Sequence, residues 1–166
     1  MNVDRFRMAA EILAKEAEIG QTPDEILEFK HRLGGVFEKR LGDLDQAIAA
    51  YRDVLNAAPE HEATMAALEA LFASGVKQME IGEILEPLYR QANEWEKLVR
   101  VYEAQLAHTP AQKPNEDALG GPEDRLAAYY RIAELLEDKL MDPVRTLDVY
   151  IRALKEFPLD EKSSEE

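Results

Sequence analysis

Leu41-Gly42-Asp43-Leu44, followed by Ala47-Ile48, Tyr51, Leu55 and Pro59, is the stretch on which the fold turns. Gly42 leaves the helical well at little steric cost, Asp43 supplies a side-chain acceptor for the next helix's free N–H groups, and Pro59 ends that helix. Between them the apolar residues recur at three and four, the period of one helical face. The stretch is therefore a helix end, a tight turn and a whole second helix. It returns 99 residues later as Leu140-Met141-Asp142, Thr146-Leu147, Tyr150, Leu154 and Pro158. The helix before it is also repeated, with identities at Pro23/Pro122, Leu27/Leu126, Arg32/Arg131 and Glu38/Glu137. A hairpin used more than once predicts an array in which each unit buries a face against its neighbour.

Outward from this pair, helical periodicity continues almost everywhere. Phe6, Ala9, Ala10, Leu13 and Ala17 predict a first helix stopping near Gly20. Thr22-Pro23-Asp24-Glu25 predicts an N-cap, a proline at the first helical position and two acids facing the positive helix end. That second helix runs to Gly42 and the third from Asp43 to Pro59. A fourth is expected over 62–73 and a fifth over 78–91, with Pro87 kinking it near Ile84 or delaying its start. A sixth begins at Glu94-Trp95, a seventh at Pro122 and an eighth near Asp142-Pro143. Residues 109–121 predict a mobile loop and 161–166 a disordered tail, leaving 1–160 as a single helical repeat domain. Glu62 to Asn93 is expected to form a looser hairpin, so that the offset spans about three repeat lengths.

These residues resemble the tetratricopeptide repeat family, which pairs helices A and B with small residues at their contact, an aromatic late in helix B and proline at its end. The second half of that pattern lies at Leu41 to Pro59, at Asn93-Glu94-Trp95, Leu98, Tyr102, Leu106 and Pro110, and at Asp142 to Pro158. Helix A departs from it: Gly35 stands at the family's glycine, but His31 and Glu38 replace aromatics and Glu134 replaces the last copy's glycine. The resemblance implies an all-α fold, a right-handed α-solenoid of antiparallel helical hairpins with about eight helices, and a concave face lined by A helices. On that face it places Arg32, Val36, Lys39 and Arg40 of the second helix, Ala66 and Ala70 of the fourth, and Ala128, Arg131, Leu135 and Lys139 of the seventh. The alanine stripe at Ala63, Ala66, Ala70 and Ala73 reads first as a close helix contact and second as a groove floor.

Composition narrows the function classes. The 166 residues carry a net charge of -14, with 46% apolar and 33% charged residues and no cysteine. An acidic chain without a basic stripe does not suit nucleic acid, whose binding requires a cationic field to release counterions. No apolar run approaches the roughly 18 residues of a membrane span. Missing thiols and the lack of a signal core predict a cytoplasmic setting. His31, His61 and His108 lack a two-ligand helical spacing, and no phosphate loop or nucleophile elbow is present, so neither enzyme activity, cofactor nor metal is expected. Tyr51, Tyr102 and Tyr150 recur as helix-packing bulk, and Trp95 reads as a wedge between helices.

The expected function is a non-enzymatic scaffold that binds a peptide or helix of a protein partner in its groove. The alternative is a regulatory or structural helical-repeat segment of a larger, enzymatic protein. The charged tail after Pro158 and the lone helix before Pro23 add the expectation of open repeat ends, covered by self-association or by further repeats.

Overall fold

The computed structural model describes residues 3–19, 22–111, 115 and 120–158. Among these the chain is all-α, with eight α-helices and no strand: α1 (Val3–Ile19), α2 (Pro23–Val36), α3 (Leu44–Ala57), α4 (Glu62–Ala73), α5 (Gln78–Ala92), α6 (Trp95–His108), α7 (Pro122–Glu134) and α8 (Pro143–Glu156). Capping explains the starts. Thr22 Oγ1 accepts from the Glu25 amide at 3.2 Å, Asp43 Oδ1 from Gln46 at 3.2 Å and Asp142 Oδ1 from Arg145 at 3.0 Å. At α4 His61 Nδ1 caps in the same way, accepting from the Thr64 amide at 3.3 Å. Pro87 lies inside α5 without delaying its start.

A feature beyond the sequence reading appears at the ends of the A helices. Phe37–Leu41 and Leu135–Lys139 are π-helical turns continuing α2 and α7. The widened turns let the Asp43 amide donate to the Phe37 carbonyl at 2.9 Å and Asp142 to Leu136 at 2.8 Å, six residues back. The corresponding amide of α5 and α6, that of Glu94, reaches only five residues back, to Tyr89 at 2.8 Å. All three turns pass through a left-handed residue: Gly42 at φ 65°, Asn93 at φ 60° and Met141 at φ 50°.

The chain divides into two compact units, Met1–Lys77 and Gln78–Glu166. In the first, α2 packs on both α1 and α3, and α4 packs on α3. Its core holds Ala47, Ile48, Tyr51, Val54, Leu55 and Leu68. Gly34, rather than Gly35, is the glycine this packing demands: a Cβ on Gly34 would stand 2.5 Å from the Tyr51 ring, whereas one on Gly35 would meet nothing within 4 Å. In the second unit α5 pairs with α6, α6 with α7 and α7 with α8, around Ile81, Leu85, Leu98, Val101, Tyr102, Ile132 and Leu136.

Three expectations change here. Glu62 to Asn93, expected as a looser hairpin, is divided between the two units, α4 packing on α3 and α5 on α6, and the 99-residue offset spans two hairpins and one additional helix. The alanine stripe on α4 is no close contact, since Ala63, Ala66, Ala70 and Ala73 are all exposed. Tyr150, unlike Tyr51 and Tyr102, is not buried. Of the loop expected over 109–121, residues 112–114 and 116–119 lie outside the described residues, as do Gly20 and the tail. The loop's described ends meet, Gly121 donating to the Pro110 carbonyl at 2.8 Å.

A half-buried ion pair closes the second unit. Arg125 on α7 donates to the Leu106 carbonyl at 2.7 Å, to the Thr109 carbonyl at 2.8 Å and to Glu156 at the end of α8. Tyr129 donates to the same carboxylate at 2.7 Å. The Arg125 bond holds the Glu156 carboxyl below its ordinary range. One charged cluster thus fastens α6, α7 and α8 together.

Candidate functional site

Within the second unit, the end of α5, α6, α7 and the π turn after α7 line a hollow of about 240 Å³. It is lined by Arg90, Trp95, Tyr102, Arg131, Glu134, Leu135, Asp138 and Lys139. Arg131, Leu135 and Lys139 stand four residues apart, which brings them to one side of the helix. Leu135 is buried and forms wall, while Arg131 and Lys139 are exposed. Lys139 Nζ lies 5.2 Å from the centroid of the Trp95 ring and the Arg131 guanidinium 5.9 Å from that of Tyr102. Both cations are therefore held over aromatic faces rather than left to sweep through solvent.

The floor is hydrogen-bonded. Arg90 Nη2 donates to the Tyr102 hydroxyl at 2.6 Å, and that hydroxyl donates to Glu86 at 2.9 Å. Burial raises the Tyr102 pKa, and the Glu86 carboxylate adds to the rise against opposition from Arg90 and Arg131. The phenol stays a neutral donor at physiological pH.

Of the residues expected on the concave face, the structure brings Arg131, Leu135 and Lys139 together here, while Ala128 is buried. Arg32, Val36, Lys39, Ala66 and Ala70 belong to the first unit, where Arg32 pairs with Glu28 at 3.2 Å, Val36 is half-buried and Lys39 is exposed. Trp95, read as a wedge, is half-buried with its face toward Lys139. Arg40, which stands 99 residues before Lys139, also lies over an aromatic, its guanidinium 5.2 Å from the Phe6 ring.

Sequence spacing also failed to join the histidines. His31 Nδ1 and His61 Nδ1 both lie 2.8 Å from Thr64 Oγ1, with ring centroids 5.4 Å apart. Because His61 Nδ1 already accepts the Thr64 amide, the Thr64 hydroxyl donates to it, and His31 donates to the hydroxyl. Burial, then the neighbouring His61, lowers the His31 pKa from its ordinary 6.5. Among the described residues no group of three or more His, Cys, Asp or Glu could hold a metal ion, and no helix is long and apolar enough to cross a membrane.

The tetratricopeptide repeat family model matches residues 84–116, taking in the later part of α5 and all of α6. The chain carries a tetratricopeptide repeat. Trp95 and Tyr102 of the hollow thus belong to the matched repeat itself, and Arg131 and Lys139 come from the A helix that follows it. The hairpins α2–α3 and α7–α8 share that repeat's left-handed turn, acidic cap position and helix B tyrosine. Neither a curated protein nor a solved structure matches the chain. A helical repeat of this family indicates, in general terms, a scaffold for protein–protein interaction.

Proposed function

We propose that this repeat protein is a non-enzymatic binding module that takes a peptide or helix of a protein partner and seats one acidic side chain of it in the hollow at Trp95. The observation that carries this reading is the pair of cations, Arg131 and Lys139, held over the faces of Tyr102 and Trp95. Together with Arg90 they place three positive groups around the hollow against the two acids Glu134 and Asp138. Glu86, 3.2 Å from Arg90 in the floor, brings the acids to three, so the hollow is close to neutral within a chain of net charge -14. An incoming carboxylate gains charge-assisted hydrogen bonds from cations already oriented, while Trp95 and Leu135 cover its apolar stem. Glu134 and Asp138 at the rim repel a second acid and favour basic neighbours, which sets a pattern for the ligand. Arg32, Val36, Lys39, Ala66 and Ala70 stand as a further candidate contact surface on the first unit.

Trp95 is the only tryptophan in the chain, so its fluorescence reports on the hollow directly. Titration with peptides carrying a single Glu or Asp among apolar and basic residues should give a saturable change, weakened about tenfold or more by Arg131→Glu or Lys139→Glu, in line with loss of a charged hydrogen bond. Alanine in place of the peptide's acid should weaken binding equally. Binding that survives Arg131→Glu with Lys139→Glu sinks this reading.

A further inference from the structure

The last B helix exposes what an earlier one buries. Ile48, Tyr51 and Leu55 of α3 are 3%, 1% and 2% accessible, with α4 packed on that helix. Their counterparts 99 residues on, Leu147, Tyr150 and Leu154 of α8, are 60%, 40% and 48% accessible. Val144 and Ile151 are exposed as well. Positions 144, 147, 151 and 154 alternate steps of three and four, the spacing of a two-helix seam. Hollows of about 460 and 360 Å³ flank the seam; Met141, Leu147 and Tyr150 line the first, and Tyr130, Leu154 and Phe157 the second. A contiguous apolar surface of this kind marks an interface.

We propose that this face pairs with the same face of a second copy, the two α8 helices packing antiparallel about a two-fold axis. The seam reads the same in both directions about position 149. Antiparallel pairing sets Val144 opposite the partner's Leu154 and Leu147 opposite the partner's Ile151, so every seam position meets an apolar one. Charge favours the same direction. Glu137, Asp142 and the exposed Asp148 stand along the first part of the seam, where Arg145 is held by Glu96 at 2.7 Å, and Lys155 stands exposed at its end, so reversal brings unlike charges together, whereas parallel pairing stacks like ones. Opposed helix dipoles add to the preference.

The chain offers another exposed helix face, on α1, where Arg5, Met8, Ile12, Lys15 and Ile19 keep the same spacing. Two of those five positions are cations, which would lose water against the apolar seam of α8 without a carboxylate opposite each. The α8 face of a second copy is the better occupant. Such a contact is isologous and stops at two chains.

Sedimentation velocity on the whole chain, from about 5 to about 200 μM, covers the range in which a small single-helix interface associates. The expected result is a reversible dimer of twice the chain mass, shifted to monomer by Ile151→Glu and by Leu147→Glu with helical circular dichroism unchanged. Because the chain has no cysteine, Leu147→Cys together with Ile151→Cys should cross-link it cleanly into dimers on mild oxidation. A monomer at every concentration overturns the proposal. So does association that survives Ile151→Glu, or growth beyond two chains that is lost on Ile12→Glu, which would assign the contact to α1.

Discussion

At the scale of single residues, close approach decides more than conformational preference. Gly34 has an ordinary helical neighbour in Gly35, and the two look interchangeable in sequence. The ring of Tyr51 occupies the place of the missing Cβ at Gly34 alone, and its hydroxyl is fixed by donation to Glu38 at 2.6 Å, so the ring has little freedom to retreat. Gly34→Ala should therefore destabilise the protein by about 1–3 kcal/mol, the usual range for overpacking. Gly35→Ala meets no neighbour and should be neutral or stabilising by up to about 1 kcal/mol through helix propensity. Urea melts of the two variants separate these outcomes. Equal effects would mean that the Tyr51 contact is not what excludes a side chain. The resemblance pointed to Gly35 because a family pattern counts positions along the chain, whereas exclusion depends on a ring arriving from the next helix.

At the scale of elements, the three A-to-B turns solve one problem with different residues. Each must reverse the chain through a left-handed residue before an N-cap, and Gly42, Asn93 and Met141 occupy that place. Glycine and asparagine reach this conformation readily; methionine does so against a clash of its Cβ with the following carbonyl. Within one chain Met141 is largely exposed and has no buried packing to lose. Met141→Gly should raise stability by about 0.5–1 kcal/mol, the relief of strain less the added freedom of the unfolded chain. Thermal melting checks it, and a drop in the melting temperature would show that the Met141 side chain contributes more than its backbone costs. The helices and their caps were legible because capping and periodicity are local. The π turns were not, since a six-residue closure at Asp43 and Asp142 and a five-residue one at Glu94 leave similar spacings of apolar residues.

At the scale of the whole molecule, the chain holds two compact units, and the hollow at Trp95 is built entirely from the second. A polypeptide covering residues 78–166 should keep its helical signal, a cooperative melt and the Trp95 response to acidic peptides. Loss of helicity in that fragment would show that the core around Leu85, Leu98, Tyr102 and Leu136 is not sufficient by itself. Part of the hollow was readable in advance: the recurrence of Arg32 and Arg131 singled out Arg131, and Leu135 and Lys139 follow at steps of four. The rest was hidden, because Trp95 and Tyr102 were explained by packing, and packing does not say which edge of a ring remains open. The division between α4 and α5 escaped for a related reason. Nothing in the spacing of Glu62 to Asn93 tells whether two helices touch one another or turn to different neighbours.

By itself the sequence determined the eight helices, the caps at Thr22, Asp43 and Asp142 and the equivalence of positions 99 residues apart, because each rests on interactions within one turn of helix or on a repeat visible as identity. Only the tertiary structure decided that Gly34 must be bare, that Lys139 lies over Trp95, that His31 and His61 share the Thr64 hydroxyl, and that Tyr51 is buried while Tyr150 is not. Those outcomes depend on which element arrives at a face, and residues far apart in the chain carry no local signal of meeting.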